Sequence, residues 1–448
     1  MGVDAHRLHP RSLECSKAGG LAVSLEPKRE LFLTGNLPDS RTTRRRRQIF
    51  HIAGYDPVSV SDHYLRFVRQ LAIFKKTWAV EASASALESS TSNPNWSVTT
   101  EGPNWRTESN VELLAWDDLV NADATGSRIV RLLRALNVYA NLIWTGTLLR
   151  YAMANQRYFL FTIVPLVEAI VLGILAWSAA LYFTHDLSGS PLVDYSLGTI
   201  AGLVVFILLL EWPGKRWRIY QAFDDWILSL DYVYARRAAL ETRLDQFAKR
   251  IVSEAIHGTA DEIVIVGHSL GATFAIDAVA RALAIEPGLG RCGRSVCVVT
   301  VGATIPKCAL HPHASRLRNE IRTVADEPSV HWVEYQSRAD PISFYRFHPA
   351  TLRRIRGTDD ELAARPPVRR VHIKDMLQPA TFAKYRLRVL RLHYQFLMAN
   401  ERRASYDYFM MICGPLLTKA WTTSPLGLLD FFSDARSATV SESAELLP

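Results

Sequence analysis

Residues 261–275 constrain the fold of this 448-residue chain more tightly than any other stretch. Four β-branched residues in a row, 263–266, predict a buried strand. The pentapeptide GHSLG, with Ser269 at its centre, follows directly, and apolar residues then recur at helical spacing. The pattern predicts a strand, a very tight turn that carries the serine, and a helix.

This combination of strand, turn and helix resembles the nucleophile elbow of the α/β-hydrolase superfamily, and the form Gly-His-Ser-Leu-Gly resembles that of its lipases and esterases. Glycines two residues before and after the serine leave room for neighbouring elements to approach the turn. The resemblance covers residues 48–157 and 213–432. It implies an α/β-hydrolase fold, which is a mostly parallel sheet with helices on both faces, and it makes Ser269 the expected nucleophile.

The superfamily order of nucleophile, acid and histidine implies two further catalytic residues. The acid is expected at Asp340, which follows a predicted strand at 330–335, although Asp-Pro also starts ordinary turns. His393 is the expected base, because it follows the last predicted strand, 368–376, at an aromatic-bearing helical stretch. His372 remains the alternative base, although it lies inside that strand.

An oxyanion hole needs two N–H donors, and the resemblance implies where they lie. One is the N–H of Leu270, the residue after the nucleophile. The other is the N–H of Tyr55, which follows Gly54 and a predicted buried strand at 48–53. Ala53 stands where the superfamily often has histidine, so the second donor is left open.

The remaining patterns add elements without obvious chemistry. Apolar spacing predicts a helix at 60–76, one or two strands at 96–116 and a long helix at 128–156. His51 is expected to lie within the early strand, and His268 is expected to pack beside the elbow.

Two apolar segments interrupt this pattern: 158–183, with Glu168 as its one charge, and 195–210, with none. A membrane-spanning helix needs about 20 mostly apolar residues, so the pair predicts a transmembrane hairpin, with two buried core helices as the alternative. Lysine and arginine flank the outer ends and are missing from the connector, which places both termini and the catalytic domain in the cytoplasm. Glu168 is either functional or lies near a helix end against the catalytic domain.

The formal net charge of +8 does not indicate nucleic-acid binding, because the basic residues flank apolar segments or form runs without interleaved aromatic residues. Basic residues beside a membrane explain the charge better. Residues 1–47, which end in four arginines, and residues 436–448 are expected to be flexible tails. The five cysteines are irregularly spaced, which favours a reducing compartment and argues against a zinc site.

The chain is therefore expected to be an integral membrane protein whose hydrolase domain, 48–157 and 213–435, is divided by a hairpin at 158–212. The expected activity is cleavage of a carboxylic ester, small or lipid-like, through an acyl-enzyme on Ser269, without a metal or organic cofactor. The alternatives are a catalytically silent scaffold with the same fold and an acyltransferase that uses the same serine. The expected partners are the lipid bilayer and the substrate, and no oligomeric state is indicated.

Overall fold

The computed structural model describes residues 43–89, 93–102, 105–291, 294–357 and 364–431. The tail expected at 436–448, and residues 1–42 of the tail expected at 1–47, lie outside the described residues. The expected boundary at residue 47 is wrong, because the first strand begins at Thr43 and contains the arginine run.

Strand geometry explains how an arginine run can belong to the sheet. Alternate side chains of a strand point to opposite faces, so Arg44 and Arg46 are exposed whereas Arg47 is buried. The buried guanidinium is paired with Glu262 at 2.7 Å and donates to main-chain carbonyls in the segment 411–416. These partners satisfy the charge, which would otherwise be very costly to bury.

The strands form one eight-stranded sheet and a separate two-stranded ribbon, β8 with β9. Their bounds are β1 Thr43–Ile52, β2 Glu81–Ala84, β3 Asn95–Gly102, β4 Trp105–Leu113, β5 Glu262–His268, β6 Ser295–Val301, β7 Val330–Gln336, β8 Phe347–His348, β9 Arg353–Arg354 and β10 Val368–Arg370.

The sheet order is β10-β7-β6-β5-β1-β4-β3-β2. The six strands from β10 to β4 are parallel, and β3 is antiparallel to both of its neighbours. The central strands β1 and β5 are in register, with Ile52 opposite Gly267. The loops that follow these two strands therefore meet at the carboxyl edge of the sheet, where ligands bind in open parallel sheets.

Helices cover both faces of the sheet and form the apolar pair. Their bounds are α1 Val60–Trp78, α2 Asp117–Ala124, α3 Arg128–Trp144, α4 Thr147–Ala154, α5 Gln156–Thr184, α6 Pro191–Glu211, α7 Pro213–Arg216, α8 Ile219–Val233, α9 Ala238–His257, α10 Leu270–Ile285, α11 Ile305–Ala309, α12 Ser315–Asp326, α13 Ile373–Met376, α14 Pro379–Tyr385, α15 Val389–His393, α16 Tyr408–Cys413 and α17 Thr418–Thr422.

Three apolar clusters hold these layers together. Helices α9, α10 and α12 pack on one face of the sheet, and α1 and α16 pack on the other. The third cluster joins α3, α4 and α8 to the start of α5, where the ring of Tyr158 lies 4.0 Å from that of Phe344. The apolar hairpin is thus packed directly against the α/β part of the chain.

Helices α5 and α6 are both long and apolar enough to cross a membrane. Only 28% and 17% of their most apolar stretches are buried, whereas a core helix of a soluble protein is mostly buried. Glycines allow the two helices to approach closely. A Cβ at Gly202 would lie 3.1 Å from Cα of Trp177, and a Cβ at Gly198 would lie 3.3 Å from Cα of Leu181. These pairs define an antiparallel register.

The same register places Glu168 level with Glu211, the last residue of α6. Glu211 pairs with Arg128 at 2.7 Å, and the adjacent Trp212 is 85% exposed, as is typical of aromatic residues at a membrane interface. Glu168 therefore lies at one end of the hairpin, in agreement with the second interpretation of this residue. The preceding part of α5, 156–167, extends beyond α6 along the α/β part.

Two predicted elements differ from the structure. The helix expected at 128–156 is divided into α3 and α4, because Gly146 adopts a φ of 67°. The strand expected at 368–376 ends at Arg370, beyond which the chain turns into α13. This strand is at the sheet edge and pairs with β7 alone, so little holds its last residues in the ladder. His372 consequently lies outside the sheet.

Candidate active site

The elbow has the geometry that its sequence predicts. Ser269 lies between β5 and α10 with φ 56° and ψ −124°, a conformation that is costly for a residue with a side chain. Its N–H donates to the carbonyl oxygen of Val301 at 3.3 Å. Its own carbonyl oxygen accepts from the N–H groups of Ala272 and Thr304, both at 3.2 Å. These bonds fix the serine at the apex of the turn.

The glycines around the turn are required because neighbouring atoms lie too close to them to leave room for a Cβ atom. A Cβ at Gly271 would lie 2.3 Å from the Ala53 carbonyl oxygen, and a Cβ at Gly54 would lie 2.8 Å from Cβ of Ser269. Similarly, a Cβ at Gly267 would lie 2.9 Å from the Gly271 carbonyl oxygen. The elbow is therefore packed directly against the loop after β1, as the expected oxyanion hole requires.

Asp340 and His393 are brought together from residues far apart in the chain. Nδ1 of His393 donates to Oδ2 of Asp340 at 2.8 Å, and both side chains are almost fully buried. The other carboxylate oxygen accepts from the N–H of Ile342 at 3.0 Å. Because Nδ1 carries the donated proton, Nε2 of the neutral ring is an acceptor. This Nε2 is buried and has no hydrogen-bond partner among the residues that the structure describes.

His268 positions the main chain of His393. Its Nε2 lies 3.2 Å from the carbonyl oxygen of His393, and the two rings are 4.5 Å apart. Since a carbonyl can only accept, Nε2 of His268 carries the proton. Burial, with a smaller effect of His393, lowers the pKa of His268 well below its ordinary value, so this ring stays neutral. The expectation that His268 packs beside the elbow is confirmed.

His51 and His372 lie elsewhere. His51 is in β1 as expected, and burial lowers its pKa to about 3. His372 has a side chain that is 56% exposed and lies 3.4 Å from Asp375 in the following turn. Ser269 and His393 border one cavity, and His372 is not among the residues that line it. The structure therefore brings His393, and not His372, to the cavity that Ser269 borders.

The cavity has a volume of about 550 Å³, in the range of small-molecule sites. Its apolar wall comes mainly from α5 and from the residues around α8 and α15. The apolar lining residues include Leu160, Phe161, Val164, Pro165, Trp217, Trp226, Ile342, Val389 and Leu390.

Of the two expected oxyanion donors, Tyr55 lines this cavity, and Leu270 directly follows Ser269 in the chain. Leu270 is the first residue of α10, so its N–H has no carbonyl partner within the helix. Tyr55 follows Gly54 and lines the cavity, while its hydroxyl lies 3.4 Å from Asp123. Leu270 is next to Ser269 in the chain, and Tyr55 follows Gly54, which packs against Ser269.

Sequence reasoning missed a polar group in the cavity, formed by Thr304, Lys307 and Asp225. Thr304 and Lys307 follow β6, a strand that was not predicted from the sequence. The valine-rich run 296–301 before Gly302 nevertheless indicates a strand there. A strand next to β5 must end beside the elbow in a parallel sheet. Recognising β6 would have placed the residues after it in the site.

Within the described ranges, no group of three or more His, Cys, Asp or Glu side chains is arranged to hold a metal ion. Comparison of the chain with protein-family models, curated proteins and solved structures finds no match.

Proposed function

We propose that the chain is a membrane-anchored serine hydrolase of the α/β-hydrolase type that cleaves a carboxylic ester through an acyl-enzyme on Ser269. One observation carries the proposal. His393 lines the cavity together with Ser269, its Nδ1 donates to Asp340, and its buried Nε2 has no hydrogen-bond partner in the described part of the chain. A serine, a histidine and a carboxylate in these roles form the usual serine-hydrolase arrangement.

In the proposed reaction, Oγ of Ser269 attacks the ester carbonyl carbon while its proton moves to Nε2 of His393. The oxyanion of the tetrahedral intermediate is stabilised by the N–H groups of Leu270 and Tyr55. The intermediate expels the alcohol, which takes the proton from His393 and leaves an acyl group on the serine. Water, deprotonated by His393, then attacks the acyl carbon. The bond to Oγ of Ser269 breaks, this oxygen takes the proton back from His393, and the acid is released.

The helix pair supports a membrane anchor. Large apolar side chains remain exposed along α5 and α6, where lipid can cover them without the cost of exposure to water. Arg157 and Lys215 lie near the end of the hairpin that joins the α/β part, whereas the connector after α5 holds neither lysine nor arginine. By the positive-inside rule, the proposed topology has both termini and the α/β part in the cytoplasm.

Hydrolysis of a medium-chain p-nitrophenyl ester by the full-length chain in detergent tests the proposal. We expect Ser269→Ala to lower kcat about 10³-fold or more. The matched control, Ser295→Ala, changes a serine at the amino end of β6, far from the carboxyl edge, and should keep near wild-type activity. A wild-type chain that is folded but inactive would support the silent scaffold, and ester transfer to added glycerol would support the acyltransferase.

A further inference from the structure

The polar group of the cavity is joined to the elbow by main-chain hydrogen bonds. Thr304 donates its N–H to the Ser269 carbonyl at 3.2 Å, and the N–H of Lys307 donates to the Thr304 carbonyl at 2.9 Å. Nζ of Lys307 lies 2.5 Å from Oδ2 of Asp225 and 4.3 Å from the ring centre of Trp226. A polar patch is thus built into the wall of a largely apolar cavity, next to the serine.

Two polar atoms of this patch lack partners. Thr304 is 4% exposed, and its Oγ1 has no hydrogen-bond partner among the described residues. The same holds within the described ranges for Oδ1 of Asp225, whose other carboxylate oxygen is occupied by Lys307. Burying such atoms without partners costs free energy, because the hydrogen bonds that they would make with water are lost and not replaced. A ligand that supplies the missing hydrogen bonds would remove this cost.

The charge of the patch limits what it can bind. Lys307 and Asp225 form an ion pair, so the patch as a whole is neutral. A carboxylate oxygen accepts hydrogen bonds, and a threonine hydroxyl both donates and accepts. A neutral group with hydroxyls matches these atoms, whereas an anionic group would face the Asp225 carboxylate.

The wall of the cavity that α5 contributes suits an apolar chain. Leu160 and Val164 of α5 line the cavity and are also 54% and 45% exposed, so the cavity is open along this helix. Glu168, which also lines the cavity, lies level with the end of the hairpin. In the proposed membrane topology, the opening is at the height where the hairpin leaves the bilayer.

We infer that the substrate is an amphiphilic ester drawn from the membrane surface, whose neutral hydroxyl-bearing group binds Thr304, Asp225 and Lys307 while its apolar chain lies against α5. This inference rests on the proposed esterase function. The hydroxyl-bearing group lies beside the scissile ester, because the polar patch is adjacent to Ser269.

The test compares kcat/KM for two esters of one acid, the glycerol monoester and the methyl ester of decanoic acid, with the full-length chain in mixed micelles. We expect wild type to prefer the glycerol ester, and Thr304→Val to reduce the ratio of the two kcat/KM values about 10-fold, whatever the variant does to the rate with either ester alone. Thr273→Val is the matched control, because Thr273 is also buried and without a partner in the described structure but does not line the cavity.

The outcomes separate the two proposals. Hydrolysis of neither ester, or equal hydrolysis by Ser269→Ala, contradicts the esterase function itself. Hydrolysis of both esters with the same preference in wild type, Thr304→Val and Thr273→Val contradicts the substrate inference alone. Faster cleavage of a decanoyl glycerophosphate than of the glycerol ester also overturns it, because the site would then prefer an anionic group to a neutral hydroxyl-bearing one.

Discussion

At the scale of single residues, the candidate site depends on which histidine faces the serine. Nδ1 of His393 donates to Asp340 and its Nε2 has no partner among the described residues, whereas His372 is half exposed beside Asp375. We expect His393→Ala to lower kcat for ester hydrolysis by roughly 10²–10⁴-fold, the usual range for a general base. His372→Ala should change kcat by less than about twofold, because a surface side chain away from the site contributes little.

Steady-state rates for both variants, each checked for a wild-type circular dichroism spectrum, decide the matter. A folded His372→Ala chain that loses activity while His393→Ala keeps it would reverse the assignment.

Glu334, in β7, gives the molecule a pH-dependent stability. Burial raises the pKa of this carboxyl to about 8, against the effect of hydrogen bonds from Gln336 and Thr300. A raised pKa means that the folded state holds the proton more tightly than the unfolded state. The contribution of Glu334 to the free energy of unfolding is therefore fully present below pH about 4.5. It is lost as the pH rises through about 8, and between these values the free energy of unfolding falls by about 1.4 kcal/mol per pH unit.

Glu334→Gln keeps the shape of the side chain and removes the titration. We expect its melting temperature in detergent to fall less than that of wild type between pH 5 and pH 8. Identical pH dependences of the two melting temperatures would show that Glu334 does not titrate in this range.

At the scale of elements, the ion pair of Arg47 and Glu262 connects the two central strands to the C-terminal segment. Arg47 also donates to carbonyls in 411–416, and the N–H of Thr418 donates to Glu262 at 2.8 Å. Both side chains of the pair are fully buried. Removing one partner leaves an unpaired buried charge, which typically costs about 3–5 kcal/mol.

We therefore expect Arg47→Ala to lower the free energy of unfolding by about 3–5 kcal/mol, as measured by chemical denaturation in detergent. The neighbouring Arg46→Ala is the control, because that side chain is exposed and should change stability by less than about 0.5 kcal/mol. Equal losses for the two variants would place the arginine run outside the sheet.

At the scale of the whole molecule, the proposed topology puts the connector between α5 and α6 on the far side of the membrane from the α/β part. A cysteine at Ser190, at the start of α6, should react with an impermeant maleimide in intact cells. A cysteine at Thr323, exposed on α12, should react only after lysis. Both variants are made with Cys15 and Cys292 replaced by serine, because the other cysteines are buried. Labelling of Ser190→Cys only after lysis would reject this orientation.

The sequence predicts those parts of the fold that rest on local pattern. The β-branched run before Ser269 and the two apolar segments each determine their own structure, so the elbow and the hairpin helices lie where they were predicted. The arginine strand was missed because the partner that satisfies Arg47 lies 215 residues away, at Glu262. The patch at Thr304 was missed for a similar reason, since only the pairing of β6 with β5 brings it to the serine.

The central claim is that Ser269 is a nucleophile activated by His393. The most direct measurement is to treat the full-length chain in detergent with a fluorophosphonate and to locate the covalent adduct by peptide mass spectrometry. The account predicts an adduct on Ser269, formed at least about 10²-fold more slowly in His393→Ala and absent in Ser269→Ala. An adduct on another residue, or undiminished labelling of a folded Ser269→Ala chain, would contradict it.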